Sequence, residues 1–423
     1  SATAAYEAAV TLNPLDAETY FALAGAWKRM GHLDAAIQCY EKALEIQPNN
    51  APAFYNLGNA LKAAGRLEEA VEAYRIALAV QPGLLPVFKN LGTALKELGR
   101  TAEGFQVLRA GARIMFAPDT VSEGELQRPL RTSKAKLQHD SEQLRFLIAR
   151  GRLSKELADH AAIYESLAES APGEEPTASL EIPAETWQRV AKSYNRLIYL
   201  NDGEGCAQSA VNPELDFAKI QSDYQAKKPE ITYFDNFLTD EALRRLREFC
   251  LESTIWYKRY DNGYLGAMLV DGFASPLLAQ IVDELPQALP GIFGEHKLNQ
   301  AWAFKYDSEL TGINLHADFA AVNVNFWITP DDASEDSEAG GLVVWDKEAP
   351  LDWDFDKYNA DEAAIRTFLA ESDAEAVRVP YRQNRALVFN SDLFHETDRI
   401  AFRPGYENRR INITLLYGDR RSA

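Results

Sequence analysis

The chain has 423 residues, of which 46% are hydrophobic and 25% charged, and its formal net charge is −19. This length allows two or three domains with their own cores, and the composition is that of an ordinary globular protein. The acidic balance argues against binding to a nucleic-acid backbone, and no apolar run reaches the roughly 20 residues of a membrane-spanning helix.

Three widely spaced cysteines, Cys39, Cys206 and Cys250, are the only thiols of the chain. Their spacing provides neither a disulfide framework nor a CxxC metal site, which is typical of a reducing compartment. The first residues lack the basic and apolar segments of a secretory signal. We therefore expect a cytoplasmic protein, with Cys250 in the core of a helix.

The first third of the chain repeats itself every 34 residues. The period is shared by Pro14, Pro48 and Pro82, by Tyr6, Tyr40 and Tyr74, and by Gly31, Gly65 and Gly99. Such self-similarity indicates a solenoid of stacked helix pairs. The pattern resembles the tetratricopeptide repeat (TPR) from about Tyr6 to Ala112, with full units beginning near Ala17, Ala51 and Leu85. We expect residues 1–116 to form this α-helical solenoid, closed by a degenerate terminal repeat.

Residues 117–229 show helical periodicity in several short stretches, at 141–151, 155–170 and 186–200, around a breaker segment at 171–176. We interpret this region as a helical connector.

From about Ile231 the sequence consists of short segments rich in β-branched and aromatic residues, separated by turn residues. This alternation predicts an antiparallel sandwich or barrel over residues 230–423. The chain as a whole is therefore expected to be a multidomain α + β protein.

Two of the six histidines stand in a pattern suited to metal binding. His316 and Asp318 are two residues apart, so in an extended strand their side chains project from the same face. His395 follows a later apolar strand. Two imidazoles and one carboxylate form the facial triad of non-haem Fe(II) oxygenases, which leaves open positions on the metal. A surface histidine beside a turn aspartate explains the bare HxD pattern about equally well. We expect His139 and His296 to lie on the surface.

The surroundings of this pattern resemble the 2-oxoglutarate- and Fe(II)-dependent dioxygenases of the prolyl-hydroxylase-like branch, over about residues 231–418. Five segments match that branch in order, at 233–239, 304–306, 338–342, 385–389 and 410–414. The resemblance implies a double-stranded β-helix (jelly-roll) domain. It also implies that His316, Asp318 and His395 bind Fe(II), that 2-oxoglutarate and O₂ are cosubstrates, and that ascorbate is an optional reductant.

The same resemblance implies a cation for the far carboxylate of 2-oxoglutarate, which a guanidinium binds in bidentate fashion. Arg409 and Arg410 point to opposite faces of a strand, and Arg410 matches the family pattern. Thr414 shares the face of Arg410 and is a further candidate contact to the cosubstrate. Tyr306 is a candidate donor to that carboxylate, and Asn325 is a candidate contact to cosubstrate or substrate. A surface arginine pair, a core tyrosine and a turn-facing asparagine are the structural alternatives.

The expected activity is hydroxylation of a C–H bond, coupled to decarboxylation of 2-oxoglutarate to succinate and CO₂. The repeats suggest a protein or peptide substrate, although a homodimer interface is an open alternative for them. A small-molecule oxygenase and a non-catalytic TPR scaffold with a vestigial oxygenase domain are the competing functions, and a cupin-like site for Mn²⁺ or Zn²⁺ is a third. The acidic segment 346–380 is either a lid over the site or a solvated surface helix.

Overall fold

The computed structural model describes residues 2–117, 119, 121–173, 175, 177–307 and 312–420. The chain divides into two compact units, residues 1–115 and 116–423. The residues assigned to a connector, 117–229, therefore cluster with the strand-rich region. None of the helices in the described part of the chain has the length and apolar character needed to span a bilayer.

The first unit consists of α-helices that pair in sequence order. They are α1 (Ala2–Leu12), α2 (Ala17–Arg29), α3 (Leu33–Ile46), α4 (Ala51–Ala63), α5 (Leu67–Val80), α6 (Leu85–Glu97) and α7 (Thr101–Met115). The three full repeats thus begin at Ala17, Ala51 and Leu85, which confirms the predicted positions. Asp16 and Asn50 cap α2 and α4 by accepting hydrogen bonds from backbone N–H groups of the first turn.

Small residues let the helices of this unit approach closely. A Cβ atom added to Gly58 of α4 would lie 2.5 Å from the ring of Tyr74 on α5. The turns inside each pair contain glycines with positive φ, among them Gly65 at 75°, a conformation that glycine adopts without steric penalty. The period of 34 residues therefore reflects both a packing requirement and a backbone requirement.

The second unit begins with a mainly helical part. It contains α8 (Glu123–Leu126), β1 (Leu130–Ser133), α9 (Lys134–Ala149), α10 (Ala158–Glu169), β2 (Ser179–Ile182), α11 (Ala184–Val190) and α12 (Phe217–Ala226). Strands β1 and β2 pair in antiparallel fashion, and this small sheet was not predicted. A core that includes Leu137, Tyr164, Trp187 and Tyr194 joins these elements.

The strand-rich part contains two antiparallel sheets. Its strands are β3 (Ile231–Phe234), β4 (Lys258–Arg259), β5 (Leu265–Met268), β6 (Leu298–Tyr306), β7 (Val322–Trp327), β8 (Leu342–Glu348), β9 (Ala376–Val379), β10 (Ala386–Asn390), β11 (Leu393–Thr397) and β12 (Arg410–Tyr417). The larger sheet has the order β3-β10-β7-β12-β6-β5-β4, and the smaller has the order β11-β8-β9. Apolar residues of both sheets, including Phe304 and Leu387 of the larger and Val344 and Leu393 of the smaller, form one shared core.

Helices flank these sheets on their outer sides. They are α13 (Asp240–Glu252), α14 (Pro276–Ala288), α15 (Pro290–Phe293), α16 (Phe355–Asn359) and α17 (Glu362–Glu371). Cys250 of α13 is fully buried, as predicted. Residues of α16 and α17 pack against Leu315, Ala317 and Phe394 in a separate apolar cluster. The mixed α and β content agrees with the expected fold class.

Candidate metal centre and cavity

The structure brings together the three side chains that the sequence predicted as metal ligands. His316 and His395 are paired across an isolated antiparallel bridge, with N···O distances of 3.0 and 2.8 Å between their backbones. Asp318, two residues after His316, projects to the same side. Potential ligand atoms of the three residues all lie within 4.8 Å of one another. A divalent ion with N and O ligands fits this spacing.

Backbone carbonyls fix both imidazoles in one orientation. His316 Nδ1 lies 2.8 Å from the carbonyl oxygen of Asn314, and His395 Nδ1 lies 3.0 Å from that of Leu393. A carbonyl accepts only from a protonated ring nitrogen, so in the neutral form of each ring the lone pair is on Nε2. The Nε2 atoms lie 3.8 and 3.5 Å from the carboxylate oxygens of Asp318. This arrangement, with Nδ1–H bound to the backbone and Nε2 free, is the one found in histidines that bind metals.

A chain of amide side chains holds Asp318 from behind. Asn323 donates from Nδ2 to Asp318 Oδ2 at 2.7 Å, and Asn325 donates from Nδ2 to Asn323 Oδ1 at 2.6 Å. Asn412 and Thr414 both donate to Asn325 Oδ1, each at 2.8 Å. Asn325 and Thr414, predicted as cosubstrate contacts, are thus first of all members of a network that orients the carboxylate. The alternation of asparagines along β7 was the sequence signal for it.

The electrostatics of the centre favour a neutral imidazole at His316 and an ionised carboxylate at Asp318. Burial and the neighbouring His395 lower the pKa of His316 to about 4. Burial alone would raise the pKa of the Asp318 carboxyl, but the hydrogen bond from Asn323 and the polar imidazole groups around it hold that pKa below its ordinary value. Near neutral pH, His316 and Asp318 are therefore in the protonation states that bind a cation.

A cavity of about 500 Å³ opens onto His316, Asp318 and His395. Asn325, Asn412, Thr414 and Thr397 supply polar groups to its wall. Six aromatic residues that the sequence analysis did not identify also line the cavity: Tyr260, Tyr264, Trp302, Phe304, Phe319 and Phe355. No lysine or arginine lines the cavity among the residues that the structure describes. The aromatic residues lie on segments far apart in sequence, so no local pattern could have grouped them.

Arg410 and Tyr306 are buried in the strand-rich part of the second unit but do not line this cavity. They are directly opposite each other on β12 and β6, and the guanidinium carbon lies 4.8 Å from the centre of the tyrosine ring. Arg410 donates from Nε to the carbonyl of Gly340 at 2.6 Å, whereas its Nη1 and the Tyr306 hydroxyl are buried without a hydrogen-bond partner among the described residues. Two unsatisfied buried donors are unusual and suit an anionic ligand.

The neighbouring Arg409 points to the opposite face, as the alternation of side chains along a strand requires. It is buried, and its guanidinium pairs with Glu142 and Asp307.

His296 is exposed, but the prediction that His139 lies on the surface is wrong. His139 is fully buried on α9, where its ring contacts Trp256 and Tyr406. The sequence around it is polar, so its packing against Trp256 and Tyr406, which are distant in the chain, explains its burial.

The segment 346–380 combines the two alternatives proposed for it. Its helices α16 and α17 pack onto the smaller sheet through Tyr358, Ile365 and Leu369. Phe355 and Asn359 of α16 also line the cavity, and the Asn359 amide donates to the carbonyl of Ala317. One end of this segment therefore borders the site, while its charged faces are exposed.

Comparison with known proteins identifies the repeats of the first unit. Residues 28–65 match a family model described as TPR repeat, and residues 51–84 match one described as Tetratricopeptide repeat. No curated protein matches the chain. The N-terminal region therefore contains tetratricopeptide repeats, as its period predicted.

Several solved structures share a partial likeness with the chain. A structure titled "Crystal structure of MamA protein" is 24% identical, covers 29% of this chain and 67% of its own, and gives a TM-score of 0.28. A second MamA crystal structure is 19% identical over 40% of this chain and 85% of its own, with a TM-score of 0.26. MamA 41-end from Desulfovibrio magneticus RS-1 is 18% identical over 27% and 64%, with a TM-score of 0.26. At these TM-scores the likeness supports no inference about function.

Proposed function

We propose that the second unit is a non-haem Fe(II)- and 2-oxoglutarate-dependent dioxygenase with a jelly-roll core. In this proposal it hydroxylates a C–H bond of a protein or peptide substrate that the TPR region recruits. The observation that carries the proposal is the convergence of His316, Asp318 and His395, whose ligand atoms lie within 4.8 Å of one another beside a cavity.

The donor set favours an open metal centre over a closed structural site. Two neutral imidazoles and one carboxylate on one side of an ion leave its other positions open for a bidentate oxo-acid and for O₂. A closed structural zinc site would instead surround the ion with four protein ligands. The described residues supply three, which supports an open centre, and the three ligands alone are also compatible with Mn²⁺ binding in a cupin-like module.

The buried polar atoms support a dicarboxylate as the cosubstrate. Arg410 Nη1 and the Tyr306 hydroxyl are donors without a partner among the described residues, and burial raises the pKa of Tyr306 to about 12, so it stays protonated. We propose that these two groups bind the far carboxylate of 2-oxoglutarate. Neither group lines the cavity, whereas Asn412 and Thr414 do. In this proposal, the cavity wall at Asn412 and Thr414 therefore moves when 2-oxoglutarate binds.

The residues of the chain then have separate tasks. Iron with 2-oxoglutarate and O₂ supplies the oxidising chemistry when bound. His316, Asp318 and His395 hold the metal, Asn323 and Asn325 orient the carboxylate ligand, and Arg410 aligns the oxo-acid. The aromatic wall of the cavity excludes water and positions the substrate, so that the oxidation takes place on a bound C–H bond.

Succinate formation from 2-oxoglutarate tests the proposed activity. The full chain with Fe(II) should release succinate, and His395→Ala should abolish the release without loss of helical circular dichroism. His296→Ala is the matched control, because His296 is exposed and does not line the cavity. Absence of turnover together with tight metal binding would favour a non-catalytic module.

The role of the repeats has its own test. We propose that residues 1–115 recruit the protein or peptide substrate, since stacked repeats present extended surfaces for such ligands. Partners captured by the full chain should gain about 16 Da when Fe(II) and 2-oxoglutarate are added, and a variant lacking residues 1–115 should capture none. Unchanged capture and modification by the shortened chain would assign the repeats to oligomerisation instead, and succinate release stimulated by a small molecule would favour that substrate class.

A further inference from the structure

One ion-pair network connects the helical part of the second unit to the strands that carry the proposed cosubstrate anchor. Arg409, which directly precedes β12, donates from Nε to Glu142 Oε2 at 2.8 Å, and its Nη1 lies 3.2 Å from Asp307 Oδ2. Glu142 is on α9, and Asp307 directly follows β6. The Arg409 side chain is only 5% exposed, so this guanidinium has been removed from water and depends on these two carboxylates.

The residues of this network directly adjoin the proposed cosubstrate anchor, Arg410 and Tyr306, in the sequence. Arg409 precedes Arg410, and Asp307 follows Tyr306, while Arg410 and Tyr306 are directly paired across β12 and β6. Successive side chains of a strand point to opposite faces. The outer pair Arg409–Asp307 and the inner pair Arg410–Tyr306 therefore share the same two backbone segments, and a displacement of the outer pair moves the inner pair.

Further contacts of α9 make this attachment rigid. Gln143 donates from Nε2 to the carbonyl oxygens of Leu251 at 3.2 Å and Ser253 at 2.9 Å. On the same outer face of β6, the ammonium of Lys305 lies 4.2 Å from the centre of a Trp256 ring and donates to the Tyr406 hydroxyl at 3.0 Å. Lys305 is fully enclosed by these groups, which fixes the strand beside Tyr306.

We propose that α9 is a positioning element for the cosubstrate anchor, and that Glu142 acts through Arg409 to hold the end of β12 where Arg410 meets the far carboxylate of 2-oxoglutarate. This inference rests on the proposed function. It gives the helical part of the second unit a task in the active site although none of the α9 side chains lines the cavity.

Glu142→Gln removes the charge of the network while it keeps the size of the side chain. In the Mn²⁺-loaded full chain, calorimetry should show a dissociation constant for 2-oxoglutarate that rises roughly 3- to 10-fold, with the Mn²⁺ dissociation constant unchanged. Glu142→Asp, which restores the charge, should recover part of the affinity. The matched control is Glu165→Gln, because Glu165 is about as exposed as Glu142 but pairs, at 2.6 Å, with Arg145, which is half exposed, so no buried guanidinium loses its partner.

A readout without metal or cosubstrate separates this inference from the proposed function. Hydrogen exchange of the β12 amides at Ile411 and Asn412 should accelerate in metal-free Glu142→Gln and stay unchanged in Glu165→Gln. Wild-type 2-oxoglutarate affinity and wild-type exchange in Glu142→Gln would overturn the positioning role. Failure of the wild-type chain to bind 2-oxoglutarate, with accelerated exchange in the variant, would overturn the proposed function and leave α9 as a support of β12.

Discussion

Replacement of Asn323 by alanine tests whether Asp318 is a metal ligand held by the amide network. Asn323 is fully buried, donates to Asp318 Oδ2 at 2.7 Å and accepts from Asn325 at 2.6 Å. A hydrogen bond to a charged group contributes about 1.5–3 kcal/mol. Since 1.4 kcal/mol corresponds to a factor of ten, loss of this bond should weaken metal binding roughly 10- to 100-fold, the range typical of groups that orient metal ligands.

Anaerobic calorimetry with Mn²⁺ or Fe(II) measures this effect. The matched control is Asn384→Gly, which removes a buried side chain that bonds to the backbone of Leu238 and keeps the positive φ of 63°. Both variants should lower the free energy of unfolding, but only Asn323→Ala should lower metal affinity. A metal dissociation constant in Asn323→Ala within twofold of the wild-type value would refute the assignment of Asp318 to the metal.

Three further predictions concern other parts of the chain. Tyr306→Phe removes a buried hydroxyl without a partner among the described residues, so the free energy of unfolding should not fall. The dissociation constant for 2-oxoglutarate should rise roughly tenfold. An affinity equal to that of the wild type would exclude this hydroxyl as a contact. Burial and, to a smaller extent, the charges of Lys305 and Arg409 hold the pKa of His139 well below 6.5. Because the unfolded chain binds this proton at higher pH than the folded chain, the free energy of unfolding should fall by up to about 1.4 kcal/mol per pH unit below 6.5. Urea unfolding at pH 7 and pH 5 should show a smaller fall of this free energy in His139→Leu than in the wild type. Gly58→Ala should destabilise the first unit by about 1–3 kcal/mol in thermal unfolding, because the added Cβ would lie 2.5 Å from the ring of Tyr74. Gly83→Ala is the control and should cause no such loss, because a Cβ at Gly83 would meet no atom within 4 Å.

Local patterns in the sequence were sufficient to predict the repeats and two of the three candidate metal ligands, His316 and Asp318. The bounds of α2, α4 and α6 follow from a period that combines turn glycines with small packing residues, and each of these requirements acts within one helix pair. The i, i+2 spacing of His316 and Asp318 is likewise a local property of extended backbone. Its pairing with His395 was inferred from resemblance, and the isolated bridge between the two histidines is consistent with it.

Long-range contacts account for what the sequence did not reveal. The attachment of α9 depends on Arg409, which is far from Glu142 in the chain, and neither residue stands in a recognisable motif. The pairing of β1 with β2 also joins short segments that carry little strand signal. The role of Asn325 and Thr414 in orienting Asp318 required the side-chain geometry, because alternation along a strand predicts a shared face but not the partner of each hydrogen bond.

Anaerobic calorimetric titration of the full chain, first with Mn²⁺ and then with 2-oxoglutarate, tests the central claim most directly. We expect one bound Mn²⁺ per chain, 2-oxoglutarate binding only after the metal, and loss of both events in His316→Ala. Binding of 2-oxoglutarate without metal, or unchanged Mn²⁺ affinity in His316→Ala, would refute the proposed metal centre.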